Sequence, residues 1–463
     1  MVEEVKAFKI GIEGLDKILG EITPPYTILV AGHPGSGKTT FAASICYSNT
    51  VRGGKCLYIT FYEEKEKFYM FMEKLGLKLR EAEKKNLLKF VRLPVSSDVE
   101  KVLEAISEII SKEKFNVVVI DSITPLIEAL ETSIDKRAIL LNYFYQLSST
   151  INGLLILLAE LPYGKQTLEM GSPEFVADAI LVLKSGLENG FLTRLIEIRK
   201  ARGKPIYLAE IPFTITNDKG VVVYTPPILE EIPKQKEEIY FPCRVYNEKI
   251  GHMHKDFTIN IFYPPEALQG RAEAFIIILA QAVTYNLRVL IVSYVLSPAI
   301  FKDMIISTLN RYGISEKIAE EIINRYVIIK GINPYAQSLA ELKAKELELV
   351  EQYKPDIVVF HGVHIIKHQD YEKYFRELYN EILYLKHKGI STIRIGNCVN
   401  MNKCLEDASI ADLMFVMENI IKDTKYDYVL KAFRRYRTPV IIESHEVRQC
   451  VEEAIEKIRS FSL

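Results

Sequence analysis

Residues Gly32 to Thr39 read Gly-His-Pro-Gly-Ser-Gly-Lys-Thr and fill every fixed position of the pattern G-x-x-x-x-G-K-[ST]. Such an octet has meaning only between a strand and a helix. The apolar run Tyr26 to Ala31 before it reads as a buried strand, and Thr40 to Ser48 after it reads as a helix. Gly35 and Gly37 free the backbone to curl so that successive N–H groups face an anion, and the helix start adds its positive end. Gly32, His33, Pro34, Gly35, Ser36, Gly37, Lys38, Thr39 and Thr40 are the expected phosphate cradle. Lys38 supplies a point charge for the outer phosphates, and Thr39 a hydroxyl ligand for Mg²⁺.

The rest of the first half alternates in period. β-rich runs at Lys55 to Phe61, Asn116 to Ile120 and Gly153 to Ala159 are separated by helical patterns at Lys65 to Leu75, Val99 to Ile110 and Arg137 to Leu147. Further strands are predicted at Ala179 to Leu183, Arg194 to Lys200 and Ile206 to Ile211. Alternation of this kind specifies an α/β domain around a mostly parallel sheet, with ligand at the carboxyl ends of the strands.

A chain of 463 residues exceeds one ordinary domain. The proline-rich, charged, aperiodic stretch Tyr224 to Pro242 reads as a linker, giving expected domains 1–232 and 233–463. The second half echoes the first. Gly37 to Phe41 recurs as Gly270 to Ala274, Asn116 to Asp121 as Asp356 to His361, Val176-Ala177-Asp178 as Ile410-Ala411-Asp412, and Pro205-Ile206 as Pro439-Val440. The offsets stay near 233 to 240 residues, roughly one domain length, so the pattern reads as a duplication. The expected fold class is α/β, two tandem P-loop domains of which the second is degenerate. In that copy the loop position reads Tyr263-Pro264-Pro265-Glu266-Ala267-Leu268-Gln269-Gly270-Arg271. His361 stands where the first half has Asp121, and Glu266 and Glu273 would repel phosphate. The second domain is expected to bind no Mg·ATP.

Asp121, at the carboxyl end of its strand, is placed to hold the water shell of Mg²⁺. Glu63 and Glu64, closing the strand before the next helix, are candidates to orient an attacking water, Glu63 first. They could equally cap the helix that starts near Lys65. Lys200 and Arg202 alternate on a strand end, where two like charges invite an anion; a neighbouring subunit's γ-phosphate would supply it.

Together these residues resemble the KaiC-like branch of the RecA-fold ATPases. Gly11 to Asp16 resembles that family's T-G-I-x-G-L-D opening, Tyr58 to Phe61 its Y-V-T-F-E-E segment, and Asp121-Ser122 its second nucleotide motif. Glu174 to Asp178 resembles E-E-x-x-D, and Lys200 to Gly203 resembles K-x-R-G. The likeness spans residues 7 to about 215 and, more weakly, 250 to 445. It implies ATP with Mg²⁺ at the interfaces of a homo-oligomeric ring, usually a hexamer, in which Lys200 and Arg202 touch the neighbour's nucleotide. Aligned without a gap, the family's first catalytic glutamate falls on Tyr62 and the second on Glu63. Slow turnover, or service by Glu64 through a one-residue shift, both stay open. Autokinase activity of the second domain is not carried over. Its basic pair survives as Arg435 and Arg437, expected to meet acids across a subunit interface.

Net charge is −1, which argues against a chain that is basic throughout, as nucleic-acid binders often are. The loop Pro162 to Gly171 carries one lysine and one glutamate, poor for tracking phosphates. The six cysteines show neither C-x-x-C spacing nor a dense disulfide framework, so a reducing, cytoplasmic setting is expected. No apolar run approaches the ~18 residues of a membrane span. His361, His364 and His368 could ligate a transition metal but read first as ordinary histidines. Leu339 to Glu351 reads as a solvated amphipathic helix with i,i+4 charge pairs, or as one that docks a partner. Three functions follow from the sequence: an ATPase that signals conformationally to a protein partner, a nucleotide switch that scarcely hydrolyses, and a nucleic-acid-dependent motor.

Overall fold

The computed structural model describes residues 8–95, 98–130, 134–162, 176–188, 191–206, 209–223, 225, 229–234, 237–265, 272–366, 371–398, 404, 406–422 and 425–460. The chain divides into two units, Met1–Thr225 and Pro226–Leu463.

In the first unit the strands are β1 (Tyr26–Gly32), β2 (Cys56–Thr60), β3 (Leu88–Arg92), β4 (Val117–Asp121), β5 (Leu154–Glu160), β6 (Ala179–Glu188), β7 (Phe191–Ala201), β8 (Glu210–Thr216) and β9 (Gly220–Val223). Among the described residues they form one sheet in the order β3-β2-β4-β5-β1-β6-β7-β8-β9. The pairs from β3 through β6 are parallel, and β7 to β9 run antiparallel. Every residue of β1 is buried, as a parallel strand covered on both faces requires. Its alternating side chains feed two cores. Ile28 and Val30 meet the helix α1 (Glu13–Leu19) and α2 (Lys38–Val51) side, while Leu29 and Ala31 meet the side of α3 (Val99–Lys112) and α4 (Ile134–Ile151). Asp98 accepts from Lys101 N and starts α3 as an N-cap. The strand expected at Ile206 to Ile211 begins instead at Glu210.

The second unit contains β10 (Glu238–Ile239), β11 (Met253–His254), β12 (Thr258–Tyr263), β13 (Val289–Ser293), β14 (Val327–Gly331), β15 (Ile357–His361), β16 (Ser391–Asn397), β17 (Leu413–Lys422), β18 (Lys425–Arg434) and β19 (Val440–Glu443). Its large sheet runs β14-β13-β15-β16-β12-β17-β18-β19 among the described residues. This is the order of the first sheet, strand for strand from β3 to β7. The duplication extends to single bonds: Asp178 Oδ2 accepts Thr27 N at 3.0 Å, and Asp412 Oδ2 accepts Thr258 N at 2.9 Å. The chain thus holds two tandem RecA-like α/β domains.

Two expectations fail. The helix α5 (Leu339–Tyr353) opens with a full capping box between Ser338 and Glu341, but it is not a solvated helix. Lys343 and Glu346 are buried, and Lys343 Nζ donates to Glu346 and to Glu381 at 2.7 Å each. Glu381 lies on α6 (Tyr371–His387). The charge pattern that suggests a wet surface serves a buried ion cluster, which a heptad-like pattern cannot reveal. The six cysteines are also all paired, as Cys46–Cys56, Cys243–Cys450 and Cys398–Cys404. Their sequence separations of 10, 207 and 6 share no rule; tertiary proximity makes the pairs. Among the described residues no helix is long and apolar enough to cross a membrane.

Candidate nucleotide site

The cradle lies between β1 and α2. Gly35 and Gly37 have φ of 80° and 99°, in the left-handed region that glycine accepts without strain. A Cβ on Gly35 would project into open space, whereas one on Gly32 would strike Ser36 Oγ and the Leu183 carbonyl. The loop is open where a phosphate would approach and close where strands meet. Ser36 Oγ is buried with no hydrogen-bond partner among the described residues. Lys38 Nζ donates to the carbonyls of Gly32 at 2.8 Å and His33 at 3.1 Å. Burial lowers the Lys38 pKa, while Glu160 and Asp121 oppose that shift. His33 Nδ1 contacts Leu161 O at 3.0 Å, tying the loop to the end of β5. Thr40 is half-buried in the first turn of α2, just before the buried run that starts at Phe41.

Asp121 ends β4 beside Thr60, and two hydroxyls converge on its Oδ2: Thr39 Oγ1 at 3.0 Å and Tyr58 Oη at 2.7 Å. Burial pushes the Asp121 pKa up, and both hydroxyl donors pull it down. A divalent cation would also favour the carboxylate, so a hydroxyl, a carboxylate and an adjacent buried lysine suit Mg²⁺ and a polyphosphate.

Glu63 and Glu64 separate here. Thr60 Oγ1 accepts the backbone N–H groups of Tyr62 and Glu63 at 3.3 and 3.2 Å, folding the strand end back. Glu63 is half-buried and close enough to Asp121 to raise its pKa. Glu64 is exposed and occupies the N-cap position of the helix Lys65–Lys74, without a side-chain capping bond. Tyr62 is 60% exposed.

Lys200 and Arg202 are not brought to the cradle of their own domain. β7 runs antiparallel to β6, so its end lies at the start of β1: Lys200 pairs with Ile180, and Arg202 N donates to Asp178 O at 2.8 Å. Arg202 Nη1 meets Asp178 Oδ1 at 3.1 Å. That is the opposite end of β1 from Gly32, about 20 Å away along seven residues. Glu174 and Phe175, the loop residues 163–171, Glu266 to Arg271 and His368 lie outside the described residues.

Two participants escaped the sequence reading. Tyr58 is a core tyrosine in a β-rich run; only its period-two relation to Thr60 hints at the site. Glu160, the first charged residue after the apolar run of β5, sits beside Gly32 in register.

In the second domain the counterparts are occupied otherwise. His361 Nδ1 lies 3.1 Å from Ser293 Oγ, and His364 Nδ1 accepts Asn397 N at 3.2 Å. Among the described residues no three His, Cys, Asp or Glu side chains converge to hold a metal. The basic pair expected to reach across an interface is engaged at home. Arg435 donates to Ser409 O at 2.8 Å and faces Asp412 at 3.9 Å, while Arg437 donates to Ile250 O at 3.0 Å. Arg435 N donates to Asp412 O as Arg202 N does to Asp178 O, so Arg435 alone matches Arg202, and Lys200 is matched by Phe433 in the sheet register.

Fold and cradle define a P-loop nucleotide-binding domain of RecA type, followed by a second RecA-type domain whose sequence departs from the phosphate-loop pattern. Residues 8–228 match the KaiC ATPase family. The circadian clock protein KaiC3 of Synechocystis is 28% identical over 235 residues, 47% of this chain and 46% of that protein. The circadian clock oscillator protein KaiC of Thermostichus vulcanus is 29% identical over 226 residues, 46% of this chain and 43% of that protein. A UPF0273 protein of Pyrococcus furiosus is 26% identical over 246 residues, 49% of this chain but 97% of its own length. The chain is KaiC-like through its first half, which spans less than half of the clock proteins it matches.

Proposed function

We propose that the first domain binds Mg·ATP at an interface between copies of this chain and hydrolyses it, and that the second domain is structural or regulatory. Lys38 exchanges its two carbonyl partners for β- and γ-phosphate oxygens, while Thr39 and Asp121 hold the cation. Mg²⁺ bound there supplies neutralisation of charge on the transferring phosphoryl group. Glu63 orients the attacking water, with Glu64 left at the start of its helix. Lys200 and Arg202 act on the neighbouring subunit's nucleotide, in the manner of an arginine finger.

The observation that carries this reading is the separation of Arg202 from Gly32 along β1, since an arginine side chain reaches only a fraction of a strand's length. The site is complete only when a second copy contributes. The test mixes two inactive variants, Lys38→Ala and Arg202→Ala, which spoil different halves of the composite site. Activity should reappear on mixing. Two variants that assemble together and stay inactive would remove the interface from the mechanism.

The exposed Tyr62, at the place where the resemblance puts a first glutamate, favours a second reading: a nucleotide switch that binds ATP tightly and releases phosphate rarely. Single-turnover phosphate release separates the two. A nucleic-acid-dependent role predicts a salt-sensitive shift of single-stranded DNA.

A further inference from the structure

One turn is built alike in the two domains and tipped differently. After β7, Arg202 N donates to Asp178 O and Lys204 N to Ala201 O; after β18, Arg435 N donates to Asp412 O at 3.0 Å and Arg437 N to Arg434 O at 3.1 Å. Gly203 is thereby matched by Tyr436, and both have positive φ, 74° and 62°. Glycine suits the third position of such a turn, whereas a bulky side chain there strains the backbone. Tyr436 is also 97% exposed, so packing within its own domain does not offset that strain. The arginines beside it reach inward: Arg434 and Arg437 both donate to Ile250 O, and Arg435 donates to Ser409 O. The guanidinium groups are held against the domain while the phenol ring stands clear of it.

A complementary surface lies at the other end of the same sheet. Ser293 Oγ accepts Val295 N at 3.4 Å and Leu296 N at 3.0 Å, just as Thr60 Oγ1 accepts the N–H groups of Tyr62 and Glu63. Val295 and Leu296 therefore stand where the first domain has Tyr62 and Glu63, and an apolar side chain replaces the acid. Val295 and Tyr335 are both exposed. Val295 lies against Gly362, where an added Cβ would come within 2.3 Å of its Cγ2, and Tyr335 Oη donates to Ile365 O at 3.0 Å. Both thus flank the turn 362–365 that follows β15. Tyr436 sits at the amino end of β17, through the bond from Arg435 to Asp412, and Val295 just past the carboxyl end of β13. The two ends of a parallel sheet of this strand length are ~15–20 Å apart, beyond the reach of a tyrosine side chain within one copy.

We propose that Tyr436 docks on the Val295 and Tyr335 surface of the second domain in a neighbouring copy of this chain, joining copies head to tail. The inference rests on the proposed role of Arg202, which faces a neighbour's cleft beside Glu63. The second domain makes the same approach with an aromatic ring in place of a cation, onto apolar side chains in place of an acid and a phosphate. Contacts of this head-to-tail kind close into rings or run on as filaments, and buried aromatic anchors carry much of the energy of an interface.

Mass photometry of the full chain with ATP, over a dilution series, tests this. Tyr436→Gly, which gives the turn the first domain's residue, should raise the dissociation constant of the assembly at least tenfold, while the thermal midpoint of the monomer stays level or rises as the strain is relieved. Tyr436→Phe should assemble like the parent. An unchanged constant in Tyr436→Gly overturns the proposal, and so does a destabilised monomer, which would make the ring a support of its own domain. With p-benzoylphenylalanine in place of Tyr436, irradiation should yield a covalent dimer whose cross-link maps to residues 294–300 or to Tyr335; a cross-link elsewhere, or none, refutes the site. Mixing Lys38→Ala with Arg202→Ala tests the first-domain interface separately. Recovered activity there, with Tyr436→Gly assembling like the parent, overturns the role of Tyr436 alone. Failed recovery, with Tyr436→Gly assembling poorly, overturns the role of Arg202 alone.

Discussion

Tyr58 Oη donates to Asp121 Oδ2 at 2.7 Å, the same oxygen that Thr39 Oγ1 reaches at 3.0 Å. The tyrosine is wholly buried, its ring stacked on Phe90 at 5.8 Å and tilted against Phe68 at 4.9 Å. A carboxylate at the mouth of a nucleotide cleft is thereby aimed from inside the core. Tyr58→Phe keeps the ring contacts and loses only the donor. Removal of an outer-shell partner typically weakens a metal site about 10–100-fold. The Mg²⁺ concentration for half-maximal ATPase activity should rise by at least that lower factor, with the thermal midpoint little changed. An unaltered Mg²⁺ dependence would deny Tyr58 a positioning role.

Glu63 and Glu64 should part in kinetics as they do in space. Glu63→Gln is expected to lower kcat by about 10²-fold or more, the usual worth of a positioned base, with ATP affinity nearly kept. Glu64→Gln should change kcat less than about threefold, since an exposed first-turn acid contributes only a modest dipole term. Reversed magnitudes would assign the water to Glu64.

The ion cluster of the second domain makes its stability fall with pH. Glu381 faces Glu346, Lys343 and Tyr374, and Tyr294 Oη donates to Glu346 Oε1 at 2.5 Å. Burial first, then the Glu346 charge, pushes the Glu381 pKa well above 4.5, against the opposing pull of Lys343. The folded state therefore keeps a proton that the unfolded chain gives up. That stabilisation is complete below the unfolded value and is lost as pH rises through the folded one. Urea unfolding of the chain should show stability declining above about pH 5, and Glu381→Gln, permanently neutral, should flatten the decline. Lys343→Met should cost about 3–5 kcal/mol, because it strands the buried Glu346 carboxylate. Equal slopes for Glu381→Gln and the parent would place the proton elsewhere.

Cys243 and Cys450 join the beginning of the second unit to its last helix, Ser444–Ser460, across 207 residues. In the chain-entropy account a loop this long stabilises the fold by on the order of 5 kcal/mol. Cys450→Ala should lower the thermal midpoint of the second unit by several degrees, and more than Cys404→Ala, whose bond spans 6 residues. A non-reducing intact mass should account for all six cysteines as oxidised; free thiols in the native protein would contradict the pairing.

The phosphate cradle, the strand that ends on Asp121 and the duplication were legible because each is local. A loop motif, an apolar run and a repeated spacing are written in consecutive residues, and backbone sterics carry them into structure with little help. The strand order of the second sheet follows from the same repeat. Local pattern misled at the helix Leu339–Tyr353, where Lys343 and Glu346 keep the spacing of surface charges while their partner Glu381 lies on another helix. Nor did it record that Arg435 and Arg437 have partners within the chain, Ser409, Asp412 and Ile250.

By itself the sequence determined that this chain repeats one α/β plan twice and carries the phosphate-loop pattern only in the first copy, where glycines, a lysine and a strand–helix junction stand within eight consecutive residues. Tertiary structure alone decided which glutamate stands beside Asp121, that Lys200 and Arg202 face away from their own cradle, and which cysteines meet. Those outcomes depend on strand direction, on register and on side chains meeting across long stretches of chain, and no local pattern records a distance between residues far apart in sequence.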